Sequence, residues 1–298
     1  MDSVAVFEFL RGIATPGLDR IMKVVTDLGS TAFYMGVIPV VYWCISKSLG
    51  FGLAMALSIS NYLNLGIKMV FCRMRPYVAF PQLDAPEYLR LTGTGYSFPS
   101  GHAQVASTFW MYLARRAQKK RVTIIGIVIV MLVAFTRVYA TVHYPTDVLV
   151  GMVLGAAIAY VCLDVANRVS TLGLGTKERV SSALAVSIIV PSLTLGLSAL
   201  INSAFFEEVA QVLGFIAGAG VGYTLENEYV KYDVRATGLV QIIKVVLGLA
   251  GMVSVRYGLK AVFPSSAFWD MLRYAVVAMW ATLGAPFLFK SFFGSRSS

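Results

Sequence analysis

Charge is scarce in this chain. Of 298 residues, 13% are Asp, Glu, Lys or Arg and 57% are hydrophobic. A water-soluble domain carries about 25% charged residues, so this supply could not cover a water-facing surface of this size. Cysteine is also rare: Cys44, Cys72 and Cys162 stand far apart, in or beside apolar runs. No CxxC pair occurs, which excludes a metal knuckle and argues against a disulfide framework. Acidic residues number 15 against 25 basic ones. The resulting excess of positive charge does not imply nucleic acid. The basic residues fall in short loops between apolar runs, as the positive-inside rule expects, and no basic-aromatic stretch resembles a strand-binding groove. The N-terminus has Asp2 and Glu8 where a signal peptide has a basic region, so insertion is expected to rely on internal spans. Histidine occurs twice, at His102 and His143.

What is abundant is long apolar sequence, such as Val122 to Ala134 and Val148 to Leu163, and the mean hydropathy is +0.73. A spanning helix needs about 20 mainly apolar residues. The pattern predicts an all-α, polytopic transmembrane helical bundle of about nine spans, at roughly 30–46, 49–72, 100–118, 122–142, 147–167, 180–200, 208–225, 237–258 and 267–290. Residues 1–27 are too polar to span and read as an interfacial amphipathic segment of two short helices broken at Pro16-Gly17. Residues 28–168 read as a catalytic helical core. Residues 169–298 read as further transmembrane helices of no assigned role, after a linker-like stretch at 170–179. The connection 73–99 holds Pro76, Pro81, Pro86 and Pro99 and is expected to be extended and looped.

Both histidines sit among residues suited to phosphate. His102 closes Pro99-Ser100-Gly101-His102; His143 lies between Arg137 and Asp147; Lys68 stands upstream of Arg75-Pro76. With alternating spans, all three groups fall on one side of the membrane. The opposite side carries Lys47, then Arg115, Arg116, Lys119, Lys120 and Arg121, then Arg168, Lys177 and Arg179. That side is expected to be cytoplasmic, along with the C-terminus, and the motifs to face the periplasm, the exterior or an organelle lumen.

A phosphoryl group needs fixed positive charge and N–H donors. Lys68, Arg75 and Arg137 can supply the charge, and Ser100-Gly101 at a helix start can supply donors and close approach. Histidine suits proton transfer near neutral pH. A neutral His143 can attack phosphorus, with Asp147 four residues on to hold its ring and stabilise the cation formed. His102 can protonate the leaving oxygen and later activate water. Each residue also has a plainer reading. Lys68 and Arg75 could snorkel at a span end, Ser100-Gly101 could be a simple N-terminal turn, and Asp147 a helix-dipole partner. Asn61, Asn64 and Lys68 form a polar stripe that could lead to the site or serve as interhelical glue.

Taken together, the sequence resembles the type 2 phosphatidic acid phosphatase superfamily over about residues 28–165. The three signatures of that family, K-x6-RP, PSGH and SR-x5-H-x3-D, stand here as Lys68…Arg75-Pro76, Pro99-Ser100-Gly101-His102 and Thr136-Arg137…His143…Asp147. Thr136 replaces the serine and keeps its hydroxyl. Gly151 and Gly155 also look familial. The resemblance implies a metal-independent phosphatase, with no cofactor, working through a phosphohistidine. His143 would be the nucleophile, Asp147 its partner and His102 the acid/base; Lys68, Arg75, Ser100, Gly101 and Arg137 would hold the phosphoryl group.

The expected function is hydrolysis of a lipid phosphate or lipid diphosphate, with membrane lipids as surroundings. The aromatic loop 77–98 would close over the head group. Two alternatives stay open. One is a phosphatase of a soluble phosphate such as a sugar phosphate, in the manner of glucose-6-phosphatase. The other is a carrier for phosphorylated solutes, which would not need both His143 and Asp147.

Overall fold

The structure is a computed structural model that describes residues 2–83, 85–173, 175, 178, 181–182, 185 and 206–293. Among them the regular secondary structure is helical throughout. Helix α1 (Val4–Gly12) is capped by Ser3 and α2 (Pro16–Asp27) by Thr15, whose side chains each accept a first-turn amide. Then come α3 (Thr31–Cys44), α4 (Lys47–Phe71), two short helical turns α5 (Pro76–Ala79) and α6 (Glu87–Arg90), α7 (Gly101–Ala117), α8 (Lys120–Tyr139) and α9 (Pro145–Ser170). After the undescribed stretch come α10 (Phe206–Leu225), running into a π-turn at Glu226–Val230, and α11 (Gly238–Val262). The last helix starts as α12 (Ala267–Met279), passes through a π-turn at Trp280–Gly284 and ends as α13 (Ala285–Phe293).

Among the described residues, six helices are long and apolar enough to cross a membrane, or seven if α2 and α3, bent by 46° at their junction, act as one span. The protein is an integral, multi-pass membrane protein. The count differs from the hydropathy pattern for identifiable reasons. At 14 and 17 residues, α3 and α7 fall short of a span by themselves. The expected span at 180–200 lies almost wholly outside the described residues. The 73–99 connection is less extended than its prolines suggest. Pro76 sits in the first turn of α5 and Pro86 at the N-cap of α6, positions where proline's fixed φ favours a helix start.

The chain divides into two compact units. The first joins Met1–Met35 to Ile59–Asn167. Here α7 is the most enclosed helix, with Ala103, Ala106 and Thr108 fully buried. Its tight packing on α9 depends on two glycines. A Cβ at Gly151 would stand 2.7 Å from Ser100 O, and one at Gly155 would collide with Gln104 O. Small residues let backbones approach in this way, and in lipid such contacts, with interhelical hydrogen bonds, do the work that the hydrophobic effect does in water. Ser107 Oγ donates to Met152 O at 2.7 Å, and Asn64, Gln104, Ser60 and Thr108 form a buried hydrogen-bonded chain. The Asn64 part of the polar stripe thus serves as interhelical glue.

Helices α1 and α2 dock on α8 through side chains that look polar in the sequence. Arg11 and Asp19 pair at 2.9 Å, and Tyr139 of α8 donates to Asp19 at 2.7 Å. Phe7 is fully buried and meets Tyr144 edge-on.

The second unit joins Gly36–Ser58 to Arg168–Ser298. Its π-turn at 280–284 breaks the usual ladder and frees carbonyls. Trp43 Nε1 donates to Ala281 O at 2.8 Å and Tyr42 Oη to Thr282 O at 3.0 Å. Buried Lys244 donates to Tyr232 Oη, Val234 O and Trp43 O, and buried Glu226 pairs with Lys47.

Candidate active site

The site is built at one end of the first unit from the ends of four helices. His143 lies in the turn between α8 and α9. The amides of Val142 and His143 both donate to Arg137 O at 3.3 Å, so the turn is folded back on the end of α8. Thr141 takes a left-handed φ of 55° to allow this. Pro145 then starts α9, and Asp147 in its first turn accepts the Tyr144 amide at 2.9 Å, the carboxylate half of a capping box.

The ring of His143 is 1% exposed. Arg75 Nη1 stands 3.1 Å from its Nε2. A guanidinium can only donate, so Nε2 is the acceptor and carries no proton. The ring proton is then on Nδ1, which faces Asp147 Oδ2 at 3.5 Å and Ser97 Oγ at 3.4 Å. Ser97 Oγ donates to that same Oδ2 at 2.5 Å. Asp147 is fully buried, and its other oxygen accepts from Arg73 at 2.8 Å.

Cations surround both histidines. Lys68 in the last turn of α4, Arg75 before α5 and Arg137 in the last turn of α8 act electrostatically on His102 and His143 alike. Burial, then Arg75, Arg137 and Lys68, push His143 well below the ordinary histidine value of 6.5. It is neutral at neutral pH, the state a nitrogen nucleophile requires.

Every sequence-predicted site residue falls in or beside this cluster, but not in equal states. The guanidinium of Arg75 uses all five N–H donors: on the carbonyls of Thr94, Gly95, Tyr96 and Val142, and on His143. Arg137 is fully buried. Its Nη atoms donate to Thr26 Oγ1, Thr92 Oγ1 and Thr92 O, while its Nε–H finds no partner among the described residues. Ser100 is the N-cap of α7, fully buried, and its Oγ is likewise without a partner. The first-turn amides of α7, from Gly101 and His102 onward, have no intrahelical acceptor by construction. The 77–98 loop cradles the arginines through Thr92 and the 94–96 carbonyls. Among its aromatics Tyr77 and Phe80 pack into the core and Tyr88 is 42% exposed.

Sequence reasoning missed Arg73, Ser97, Thr26 and Thr92. Arg73 alone had a visible signal, as a further cation two residues before Arg75. Among the described residues no group of three or more His, Cys, Asp or Glu side chains could hold a metal ion.

Fold and site define a helical membrane protein with a buried histidine, His143, and a half-buried one, His102, ringed by cations. The chain belongs to the PAP2 superfamily, whose profile matches residues 48–170; a second profile, the transmembrane extension of PAP2 superfamily phosphatases, matches residues 210–297. Over 156 residues it is 30% identical to phosphatidylglycerophosphatase B of Bacillus subtilis, covering 48% of this chain and 72% of the relative. Over 121 residues it is 33% identical to an undecaprenyl-diphosphatase of Sulfolobus acidocaldarius, covering 40% of this chain and 56% of the relative. It is 28% identical over 170 residues to a glucose-6-phosphatase catalytic subunit of Haplochromis nubilus, covering 49% of this chain and 47% of the relative. The chain thus spans little more than half the length of the undecaprenyl-diphosphatase relative and about half of the sugar phosphatase.

Proposed function

We propose that the protein is a metal-independent phosphatase that hydrolyses a lipid phosphate or diphosphate through a phosphohistidine. The observation that carries this reading is the pair of buried, unpartnered polar groups, Arg137 Nε and Ser100 Oγ, in the cation cluster around a neutral His143. A buried donor without a partner costs about 1–3 kcal/mol, and a phosphoryl oxygen would satisfy both.

In the first step His143 Nε2 forms a bond to phosphorus as the bond from phosphorus to the leaving oxygen breaks. His102, held neutral in the free site by burial and the surrounding cations, takes up a proton as the negative charge of the substrate enters and gives that proton to the leaving oxygen. The positive charge that develops on the ring is met by Asp147 at Nδ1. Arg75 has no spare donor, so it serves the phosphoryl group by turning its Nη1–H from His143 Nε2 to a phosphate oxygen as that lone pair is committed to phosphorus. In the second step His102 takes a proton from water, the water oxygen bonds to phosphorus, the P–N bond breaks, and inorganic phosphate leaves. Lys68, Arg137, Ser100 and the Gly101 amide hold the charge that builds on the phosphoryl oxygens.

A lipid substrate is favoured by the relatives named for phosphatidylglycerophosphate and undecaprenyl diphosphate. The similarity to a sugar phosphatase supports the second reading, a soluble phosphate. The basic α7–α8 turn, Arg115 to Arg121, lies at the opposite end of those helices from the site. By the positive-inside rule the site then faces the periplasm, exterior or lumen, and the C-terminus the cytoplasm.

Phosphate release is measured in mixed micelles with a polyprenyl diphosphate, a diacyl phosphate and a sugar phosphate, with and without EDTA. The expected result is turnover of a lipid, unaffected by chelation, with acid-labile label on His143 in rapid quench and none in His143→Ala. Higher kcat/KM for the sugar phosphate would transfer the conclusion to the second reading. Normal turnover by His143→Ala would remove the mechanism.

A further inference from the structure

Behind the His143–Asp147 pair lies a second layer of charge that the signatures do not contain. The carboxylate of Asp147 is fully buried, and burial disfavours its ionised form. Three donors oppose that tendency: Ser97 Oγ and the Tyr144 amide on Oδ2, and Arg73 Nη1 on Oδ1. Among the described residues only Arg73 brings a positive charge to the carboxylate, and only Arg73 engages the oxygen turned away from the imidazole.

Arg73 is itself held from several directions. Its Nη2 meets Asp2 Oδ2 at 2.8 Å, its Nη1 also reaches Thr146 Oγ1 at 2.8 Å, and its guanidinium lies 3.8 Å from the centre of the Tyr144 ring. Asp2 in turn accepts from the Thr146 amide and hydroxyl, which ties the residues before α1 to the first turn of α9. Burial alone would raise the Asp2 carboxyl, but hydrogen bonds from Arg73 and Thr146 outweigh it and hold the group below its ordinary value. The brace is therefore charged at both ends across the neutral range.

We propose that Arg73, braced by Asp2, is a positioning residue that keeps the Asp147 carboxylate ionised and aimed at His143. The proposal rests on the phosphohistidine reading for its kinetic consequence and on geometry alone for its structural one. As His143 Nε2 bonds to phosphorus, the ring becomes a cation and Nδ1–H needs an ionised acceptor. A neutral Asp147 would supply a weaker one and would be free to rotate. Arg73 also compensates for its surroundings: Lys68, Arg75, Arg137 and His102 face His143 from the other elements, and Asp2 is the other carboxylate near Asp147. Without Arg73, the Asp147 carboxyl would take up a proton at higher pH.

The test compares Arg73→Gln, Arg73→Lys and Asp2→Asn with the wild type in two ways. The first is kcat and KM against pH on the best lipid substrate. Arg73→Gln is expected to lower kcat by about ten- to a hundredfold, as removal of an orienting partner behind a histidine does, and to move the acidic limb to higher pH. Arg73→Lys should recover part of both effects; Asp2→Asn loosens the brace but also removes a negative charge from beside Asp147, so it should lower kcat mildly without carrying the acidic limb upward. The second readout needs no turnover: the 1H shift of the His143 Nδ1–H in 15N-labelled protein, read in a His102→Asn background so that one histidine remains. Arg75 fixes the Nδ1–H tautomer in every variant; with Arg73 present the Nδ1 proton should sit downfield, facing an ionised Asp147, and in Arg73→Gln it should move upfield. An unmoved acidic limb together with an unchanged Nδ1–H shift would overturn the proposal. So would a raised KM at constant kcat, which would make Arg73 a substrate-binding group. If the wild type releases no phosphate from any substrate, the phosphatase reading fails, and the Nδ1–H shift still decides the role of Arg73.

Discussion

Arg137 Nη1 donates to Thr26 Oγ1 at 2.7 Å, joining α8 to α2 across 111 residues of sequence. Both partners are fully buried. The arginine proposed to hold phosphate is thus oriented by a helix that lies before the matched PAP2 segment.

Replacing Thr26 by Val keeps the shape and removes the acceptor. Arg137 is left with Thr92 and one more unpaired buried N–H. Such a loss costs about 1–3 kcal/mol, so kcat/KM should fall by about tenfold or more, with Thr26→Ser close to wild type. Equal activity in Thr26→Val and wild type would separate α2 from the site.

The depressed His143 value sets a pH dependence. Burial and the cations Arg75, Arg137 and Lys68 favour the neutral ring, and the neutral ring is the proposed nucleophile. Activity should therefore persist as pH falls through 6.5, where an ordinary histidine is half protonated, and be lost only at lower pH. Removing a cation should relax the shift. Lys68→Met is expected to carry the acidic limb upward toward 6.5 on the same substrate, so that substrate titration cancels. A limb that stays or moves down would contradict the electrostatic origin of the shift.

Sidedness is open to direct labelling. In a background without native cysteines, a single cysteine at Thr94, in the loop around Arg75, should react with an impermeant maleimide added to the outer or lumenal face. One at Gln118, where the α7–α8 turn takes a φ of 52°, should react only after permeabilisation. The opposite pattern would turn the site toward the cytoplasm.

Much of the site was legible because its residues stand at fixed spacings within short segments. Lys68, Arg75, the Ser100-Gly101-His102 run, Arg137, His143 and Asp147 each occupy a helix end, where short motifs fix local geometry. The partners that hold them were not legible. Thr26, Thr92 and Ser97 are ordinary hydroxyl residues in the sequence, and only the tertiary fold brings them to an arginine or a carboxylate. Arg11 and Asp19 misled in the other direction. Counted as separate charges they help make residues 1–27 read as an interfacial segment, but paired with each other and with Tyr139 they allow α1 and α2 to pack on α8. Among the described residues, which omit most of 180–200, the expected spans at 30–46 and 100–118 are shorter than hydropathy suggests: α3 ends at the turn after Cys44, and α7 buries polar Gln104, Ser107 and Thr108 against its neighbours.

One residue serves at two scales. The carbonyl of Arg137 accepts the amides of Val142 and His143, while its side chain is the group proposed to grip phosphate. Nucleophile and anchor are therefore mounted on a single rigid point at the end of α8. When the bilayer thins or thickens and a spanning helix tilts to follow it, that point moves with both attached. In the proposed mechanism the gap between attacking nitrogen and phosphorus is insulated from lipid composition, so membranes of different thickness should alter how readily substrate arrives more than how fast the bond is cut.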